Sequence, residues 1–203
     1  MIGVVDYGLG NVRAFENIYR RLGIAAAPVR TEEEMSASER IILPGVGAFD
    51  WAMERLTASG MLDALNRRVL DDHVPVLGVC VGMQIMARSS DEGGRPGLGW
   101  IEASVKRFDN SWFNDRTHLP HMGWNDVDSR PDCPLFQGLT QPQFYFLHSY
   151  FLLPDSDACV IGTTDYGRPF ASAVRQGNIW ATQFHPEKSH DFGVRILRNF
   201  AEL

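Results

Sequence analysis

Short apolar runs alternate with helical patterns over the first half of the chain. Runs of four to six residues bounded by turn residues predict buried strands at 2–5, 24–29, 40–43 and 74–79. Between them, apolar residues recur every three or four positions and predict helices at 11–22, 49–56, 61–70 and 81–88. We expect Gly23 to cap the first helix and Pro44-Gly45 to end the third strand. This alternation predicts a mostly parallel sheet with helices on both faces.

The second half of the chain has a different pattern. Apolar runs separated by Gly, Pro, Asp and Asn predict strands, some of them antiparallel, at 100–108, 144–153, 158–164, 170–175 and 179–184. Phe192, Ile196 and Phe200, with Leu197 beside them, form the apolar face of a closing helix. The segment 109–132 is polar and aromatic without a clear period, and we interpret it as a long surface excursion.

Length and composition limit the size of the fold. A chain of 203 residues, 44% hydrophobic and 22% charged, is ordinary for a globular protein and suffices for one domain of roughly 100–200 residues. We therefore predict a three-layer α/β fold that spans residues 1–203 as a single domain. This length leaves little room for two independent active sites.

Charge, cysteine content and hydropathy argue against several classes of protein. The net charge is −6 and no basic run occurs, so nucleic-acid binding is not expected. Three widely spaced cysteines, Cys80, Cys133 and Cys159, do not suit a disulfide framework. The N-terminus lacks a basic region, and no apolar run approaches the roughly 20 residues of a membrane span. We expect a cytoplasmic protein with neither a signal peptide nor a membrane segment.

The first candidate for chemistry is Cys80, in the sequence Gly78-Val79-Cys80-Val81-Gly82. It follows an apolar strand and begins a helix, and its small neighbours allow the strained turn on which a nucleophile is exposed. A helix N-terminus favours the thiolate, and the backbone N–H of Val81 can face a developing oxyanion. The alternative is a buried structural cysteine, which is the common fate of a free thiol.

A thiol nucleophile needs a base, and His185 is the best candidate. It follows the predicted strand 179–184, where residues of an open α/β sheet reach the crevice at the carboxyl edge. Glu187, two residues later, could accept the imidazole N–H and select the tautomer. The alternative is a loop histidine followed by a solvated acid.

The loop 43–49 is a third candidate element. Its two glycines, Gly45 and Gly47, follow a strand and allow backbone N–H groups to turn toward a ligand. Val46 or Gly47 could then supply a second oxyanion donor. The alternative is a plain Pro-Gly turn.

Neither a dinucleotide nor a metal ion is expected. Gly8-Leu9-Gly10 and Gly45-Val46-Gly47 would need a third glycine where Arg13 and Asp50 stand. The candidate metal ligands are His118, His121, His185, Glu187 and His190. Pro120 and Pro186 break the regular spacing on which zinc ligands are usually held. We predict no cofactor.

Three blocks of sequence, in this order, resemble the class I (triad) glutamine amidotransferases. They are Leu43-Pro44-Gly45-Val46-Gly47, Gly78-Val79-Cys80-Val81-Gly82-Met83-Gln84 and Gln183-Phe184-His185-Pro186-Glu187-Lys188-Ser189. Within this family the whole chain is similar to the glutaminase subunits of imidazole glycerol phosphate synthases, which act in histidine biosynthesis. That similarity extends to Asp6-Tyr7-Gly8-Leu9-Gly10-Asn11, Pro120-His121-Met122-Gly123-Trp124-Asn125 and Tyr145-Phe146-Leu147-His148-Ser149-Tyr150. Val81 departs from the family, which more often has leucine there, but only its backbone is needed.

The resemblance implies a flavodoxin-like fold and a Cys-His-Glu triad. Cys80 would attack the side-chain carboxamide of glutamine, His185 would accept the thiol proton and protonate the leaving ammonia, and Glu187 would orient the imidazole. A glutamyl thioester would then be hydrolysed to glutamate. The oxyanion donors would be Val46, Gly47 and Val81. The glutamine ligands would be Gly45, Gln84, Glu92, Ser149 and Tyr150.

The resemblance also implies a partner. Subunits of this kind form a heterodimer with a (β/α)₈ cyclase or synthase subunit that receives the ammonia. The short chain agrees with the need for a partner, because it has room for about one active site. That site would release ammonia, and a second site that consumes ammonia would have to lie on the partner. The positions that match the family interface are Asn11, Met122, Trp124, Asn125, Tyr145 and Lys188.

Three alternatives stay open at this point. Related subunits feed ammonia to a sugar-modifying synthase of surface-polysaccharide pathways, and residues 111–114 and Ser189-His190 differ slightly from the histidine-pathway pattern. A thiol peptidase or deglycase-type hydrolase would also use a cysteine elbow and a histidine, but would not need the glycine loop together with Gln84. A non-enzymatic docking module would not need an intact Cys80, His185 and Glu187.

Overall fold

The computed structural model describes residues 1–113 and 117–203, so Asn114 of the segment noted above lies outside the described residues. The helices are α1 (Val12–Leu22), α2 (Glu32–Ser36), α3 (Phe49–Ala58), α4 (Leu62–Asn66), α5 (Val81–Gln84) and α6 (His190–Glu202). The strands are β1 (Ile2–Val5), β2 (Ala26–Val29), β3 (Arg40–Gly45), β4 (Val76–Cys80), β5 (Ser89–Ser90), β6 (Ala103–Arg107), β7 (His121–Asp126), β8 (Asp128–Ser129), β9 (Gln143–His148), β10 (Tyr150–Pro154), β11 (Val160–Asp165), β12 (Pro169–Gln176) and β13 (Ile179–Thr182).

A large mixed sheet forms the centre of the fold. Its strands β2-β1-β3-β4-β13 are parallel and neighbours in that order, and β12, β10 and β6 continue the sheet through antiparallel pairs. Helices cover both faces, with α1 packed on α6 and α2 packed on α4. The predicted α/β class is therefore confirmed, including the antiparallel strands in the C-terminal half.

Local sequence explains the limits of α1. The Asn11 side chain accepts a hydrogen bond from the Ala14 N–H at 3.2 Å, which satisfies a free donor at the helix start. Gly23 ends the helix with φ 71°, as expected of a glycine C-cap. The Tyr19 hydroxyl donates to the Leu197 carbonyl at 3.0 Å and joins α1 to α6.

Elements near Cys80 depart from the predicted limits. The expectation that Pro44-Gly45 ends the third strand was wrong, because β3 continues to Gly45 and pairs with β4 as far as that residue. Pro44 has no N–H to donate, but β1 pairs with β3 only as far as Ile42, so no hydrogen bond is lost on that side. The predicted helix 81–88 ends at Gln84, because the Arg88 N–H donates to the Ala103 carbonyl and the following residues pair with β6. The predicted helix 61–70 is α4 followed by a π-helical turn, Arg67–Asp71.

A second, two-stranded sheet was not predicted. The run 144–153 is two strands: β9 pairs with β7, whereas β10 joins the large sheet, and Ser149 lies between them. The interpretation of 109–132 as a surface excursion was wrong for 121–126, which form β7. The inward positions of β7 are His121, Gly123 and Asn125, so no apolar alternation marks the strand.

None of the helices in the described ranges has the length and apolar character needed to cross a membrane. Cys80, Cys133 and Cys159 are all free thiols.

Candidate active site

Three neighbouring parallel strands bring the three sequence blocks together. β4 lies between β3 and β13, and Gly45 at the end of β3 is paired with Cys80 at the end of β4. Thr182 at the end of β13 is paired with Val79, so the chain beyond β13 carries His185 to the same sheet edge. Loops at the carboxyl ends of adjacent parallel strands converge, which explains how residues far apart in the sequence form one site.

Cys80 lies on a strained turn between β4 and α5. Its backbone angles are φ 55° and ψ −113°, a region that residues with a side chain seldom adopt. The turn is compact, because a Cβ added at Gly82 would collide with the Leu43 carbonyl and one added at Gly45 would collide with the Gly82 backbone. The glycines at 45 and 82 therefore allow β3 to lie directly against the start of α5.

His185 and Glu187 form a buried pair beside Cys80. His185 Nδ1 lies 2.8 Å from Glu187 Oε1, and both side chains are 3% exposed. This contact leaves Nε2 free to face the sulfur. The His185 N–H donates to the Tyr145 carbonyl at 2.9 Å, and the Ser189 hydroxyl donates to the His185 carbonyl at 2.6 Å, so the loop is held at both ends.

The charges of this group favour a protonated imidazole. Burial lowers the pKa of His185, but hydrogen bonds and charge attraction from Cys80 and Glu187 outweigh it and raise the pKa to about 10. The His185 imidazole is therefore protonated at neutral pH. Such a group can deliver a proton to a leaving amine.

A cavity of about 210 Å³ opens in front of Cys80. Predicted site residues that line it are Val46, Gly47, Cys80, Val81, Gln84, Glu92, Ser149, Tyr150, His185 and Lys188. Gly47 has φ 89°, a conformation that favours glycine, and Val46 beside it is exposed. Gly45 is not on the lining but packs against Val81 and Gly82. Glu187 lies behind His185.

Two of the predicted glutamine ligands, Gln84 and Glu92, also form hydrogen bonds within the protein. Gln84 Nε2 donates to the Tyr150 carbonyl at 3.0 Å and to Gln183 Oε1 at 3.1 Å, which leaves its own Oε1 for a ligand. Glu92 Oε2 accepts the Phe49 N–H at 2.8 Å and so caps α3 immediately after the glycine loop. The carboxylate of Glu92 therefore joins the cavity wall to that loop.

The predicted interface positions lie on the second sheet, at the cavity or at the start of α1. Met122 and Trp124 are 64% and 45% exposed on β7, and Leu147 opposite Met122 is exposed as well. Lys188 is exposed and lies 5.8 Å from the centre of the half-buried Tyr145 ring. The Asn125 side chain is bound within the protein, because its amide donates a hydrogen bond to the Asp165 carbonyl at 2.9 Å. Asn11, exposed, is the α1 cap described above.

A buried pair of histidines adjoins the cavity and was not predicted. His148 Nδ1 lies 2.8 Å from the Tyr150 carbonyl, so it must carry a proton and leave Nε2 to accept from His121 Nδ1 at 2.9 Å. Burial lowers the pKa of His121 to about 4 and that of His148 to about 3. Both rings are therefore neutral at pH 7. The sequence signal that could have indicated the pair is His148 itself, a polar residue inside the apolar run 144–153.

The histidines considered as metal ligands do not converge. His121 is turned to His148, His118 is exposed, and His190 stacks on Trp124 with ring centres 5.1 Å apart. Among the residues that the structure describes, no group of three or more His, Cys, Asp or Glu side chains could hold a metal ion.

Comparisons with known proteins agree on one family. The family model for class-I glutamine amidotransferases matches residues 3–203. The imidazole glycerol phosphate synthase subunits HisH of Bdellovibrio bacteriovorus and Leptospira interrogans are 51% and 50% identical to the chain, each over 100% of both sequences. HisH of Methanocaldococcus jannaschii is 45% identical, again over 100% of both.

Solved structures give the same result for the fold. A crystal structure of a glutamine amidotransferase superposes with a TM-score of 0.77 at 26% identity, covering 99% of this chain and 97% of that one. The structure of PurLQS from Thermotoga maritima has a TM-score of 0.73 at 16% identity, covering 99% and 97%, and supports the fold alone. The chain belongs to the class-I glutamine amidotransferase family.

Proposed function

We propose that the protein is the glutaminase subunit of an imidazole glycerol phosphate synthase. In this role it hydrolyses glutamine to glutamate and passes ammonia to a (β/α)₈ cyclase subunit in histidine biosynthesis. The observation that carries the proposal is the convergence of Cys80, His185 and Glu187 beside one cavity of about 210 Å³. Full-length relatives at 50–51% identity that bear the HisH name support the choice of pathway.

The chemistry follows from the charges of the pair. The Cys80 thiolate attacks the carboxamide carbon of glutamine, and the His185 imidazolium gives its proton to the departing ammonia. Water then adds to the glutamyl thioester while neutral His185 removes one of its protons. The C–S bond of the tetrahedral intermediate breaks, the product acid ionises to glutamate, and the Cys80 thiolate is regenerated beside the His185 imidazolium. Glu187 holds the imidazole through Nδ1 in both steps.

The tetrahedral intermediates need donors for their oxyanion. We assign this role to the backbone N–H groups of Val81 and of the loop at Val46 and Gly47, because these residues line the cavity together with Cys80. Glutamine itself would be held by Gln84 Oε1, Glu92, Ser149 and Tyr150. An acid suits the ammonium group of the substrate, and hydroxyl and N–H donors suit its carboxylate.

The second sheet is the proposed docking face for the cyclase. Met122, Trp124 and Leu147 expose apolar surface beside the cavity mouth, and aromatic residues and methionine are enriched in protein interfaces. Lys188 and Tyr145 lie between this surface and the site. A partner that covers the mouth would receive ammonia before it is diluted or protonated.

The direct test replaces the nucleophile. Cys80→Ala should abolish glutamine hydrolysis and glutamine-dependent cyclase activity, while the complex keeps its activity with added ammonium. Cys159→Ala, at a half-buried free thiol away from the site, is the matched control and should change neither. Glutaminase activity that survives Cys80→Ala would refute the proposal.

The identity of the acceptor needs its own experiment. Purification of the tagged protein from its own cells should yield the (β/α)₈ cyclase, and the complex should form imidazole glycerol phosphate. Recovery of a sugar-modifying synthase would instead place the subunit in a surface-polysaccharide pathway. Activity on peptides without activity on glutamine would favour a thiol peptidase.

A further inference from the structure

Gln183, which has no role in the mechanism above, contacts the sulfur of Cys80. Its side chain is fully buried at the end of β13, and Nε2 lies 3.7 Å from Cys80 Sγ. The Leu147 carbonyl oxygen is 3.8 Å from the same sulfur. A carbonyl accepts the hydrogen of a thiol and repels a thiolate, whereas an amide N–H stabilises a thiolate.

The direction of the Gln183 amide is dictated by its neighbours. The Tyr150 carbonyl can only accept, so the amide group that faces it at 3.0 Å must be the nitrogen of Gln84. The same nitrogen donates to Gln183 at 3.1 Å, so Gln183 must present its oxygen to Gln84. The nitrogen of Gln183 is then the group directed at Cys80.

We propose that Gln183 is a hydrogen-bond donor to the nucleophile that stabilises the Cys80 thiolate, and that Gln84 positions it. Gln183, which does not line the cavity, offsets the unfavourable Leu147 carbonyl and contacts a sulfur that stays open to the cavity. Gln84 thereby has two functions, because its nitrogen orients Gln183 while its oxygen faces the cavity. The inference rests on the proposed role of Cys80 as nucleophile.

The test measures the thiolate directly, without glutamine. Alkylation of Cys80 by iodoacetamide is followed by mass spectrometry of its peptide between pH 5 and pH 10 in the full-length protein. Gln183→Met keeps the length of the side chain and removes the donor, and should raise the midpoint pH of alkylation by about one unit. Gln183→Glu places a carboxylate beside the sulfur and should raise it further. With glutamine as substrate, both variants should lower kcat more than they change KM.

The matched control is Gln176→Glu. Gln176 is an exposed residue of β12 whose amide donates to the Trp100 carbonyl at 3.2 Å, remote from the cavity, and its replacement should leave the midpoint at the wild-type value. Gln84→Leu leaves residue 183 in place but removes the group that orients it. A smaller upward shift is expected there, and this variant decides the question if the buried changes at 183 prevent folding.

The outcomes separate this inference from the proposed function. If wild-type Cys80 reacts as an ordinary unactivated thiol, the proposed nucleophile itself is wrong. If wild-type Cys80 is activated and folded Gln183→Met has the same midpoint, Gln183 does not stabilise the thiolate and the inference is overturned. An unchanged midpoint in Gln84→Leu would overturn the positioning role of Gln84.

Discussion

The Glu187 carboxylate holds His185 by one oxygen, while its other oxygen stays unpaired within residues 1–113 and 117–203. Oε1 is 2.8 Å from Nδ1, whereas the buried Oε2 has no hydrogen-bond partner among the described residues. A buried carboxylate with an unpaired oxygen is costly unless a positive charge lies beside it. The imidazolium of His185 therefore stabilises Glu187 as much as Glu187 stabilises the imidazolium.

Glu187→Gln removes this charge with little change of shape. The pKa of His185 should fall from about 10 toward its ordinary value, because an attractive charge is lost. We expect kcat for glutamine to fall about 100-fold or more. NMR titration of the imidazole and steady-state assays measure the two effects. Asp191→Asn, at an exposed acid in the first turn of α6, should alter neither, and an unmoved His185 pKa in Glu187→Gln would contradict the assignment.

Residues with a local signature could be predicted, and those defined by their neighbours could not. Cys80, between small residues after a strand, and His185, two positions before an acid, are visible in the sequence. Gln183 is not, because its role depends on which atom of Gln84, at the end of α5, faces it. The assignment of all these residues to catalysis stays a prediction until the variants are measured.

The second sheet is the element that the sequence analysis missed. The inward positions of its strand β7 include the polar residues His121 and Asn125, and His121 hydrogen-bonds to His148 of β9, whose other buried residues are Phe144 and Phe146. Strand prediction depends on alternating hydrophobicity, so a strand whose inner positions are histidine, glycine and asparagine leaves no signal. The parallel half of the large sheet, by contrast, consists of continuous apolar runs and was predicted strand by strand.

The histidine pair predicts acid sensitivity of the folded protein. The folded pKa values of about 4 and about 3 lie below the ordinary value of 6.5, so the unfolded chain takes up protons first as the pH falls. The contribution of the histidine pair to the free energy of unfolding is therefore complete above pH 6.5. Below that pH it is lost progressively, by about 1.4 kcal/mol per pH unit for each neutral histidine. Urea unfolding at pH 7, 6 and 5 measures this slope.

His121→Gln removes one of the two titrating rings. The free energy of unfolding of this variant should depend less on pH between 6.5 and 5 than that of the wild type, by about the contribution of one histidine. His118→Gln, a change at an exposed histidine near the same strand, is the control and should keep the wild-type slope. Equal slopes in His121→Gln and the wild type would show that the pair is not held neutral.

At the scale of the whole molecule, the order of the strands explains the site. Because β4 lies between β3 and β13, loops that begin near residues 45, 80 and 182 meet at one edge of the sheet. The alternation of strands and helices predicts this edge, but the sequence pattern does not say which strands are neighbours. The resemblance to a family implied that Cys80, His185 and the loop at Gly45 share one site, and the strand order brings these three segments to one sheet edge.

The docking face can be tested with the whole complex. Trp124→Ala should weaken binding to the purified cyclase about 30-fold, the effect expected when an exposed aromatic anchor is removed from an interface. Isothermal titration calorimetry measures the affinity. Leu70→Ala, at an exposed leucine 46% accessible near the opposite edge of the sheet, should bind normally. Equal affinities of Trp124→Ala and the wild type would place the interface elsewhere.

The short step from β9 to β10 has a mechanical consequence. The wall of the cavity at residues 147–150 is anchored at one end in the small sheet and at the other end in the large sheet, with Ser149 as the only residue between the strands. This part of the wall cannot move independently of the sheets, because any shift of residues 147–150 must displace β9 or β10. A rotation of the small sheet relative to the large one would displace this side of the cavity, so contact with the outer face of the small sheet and the shape of the cavity are mechanically linked.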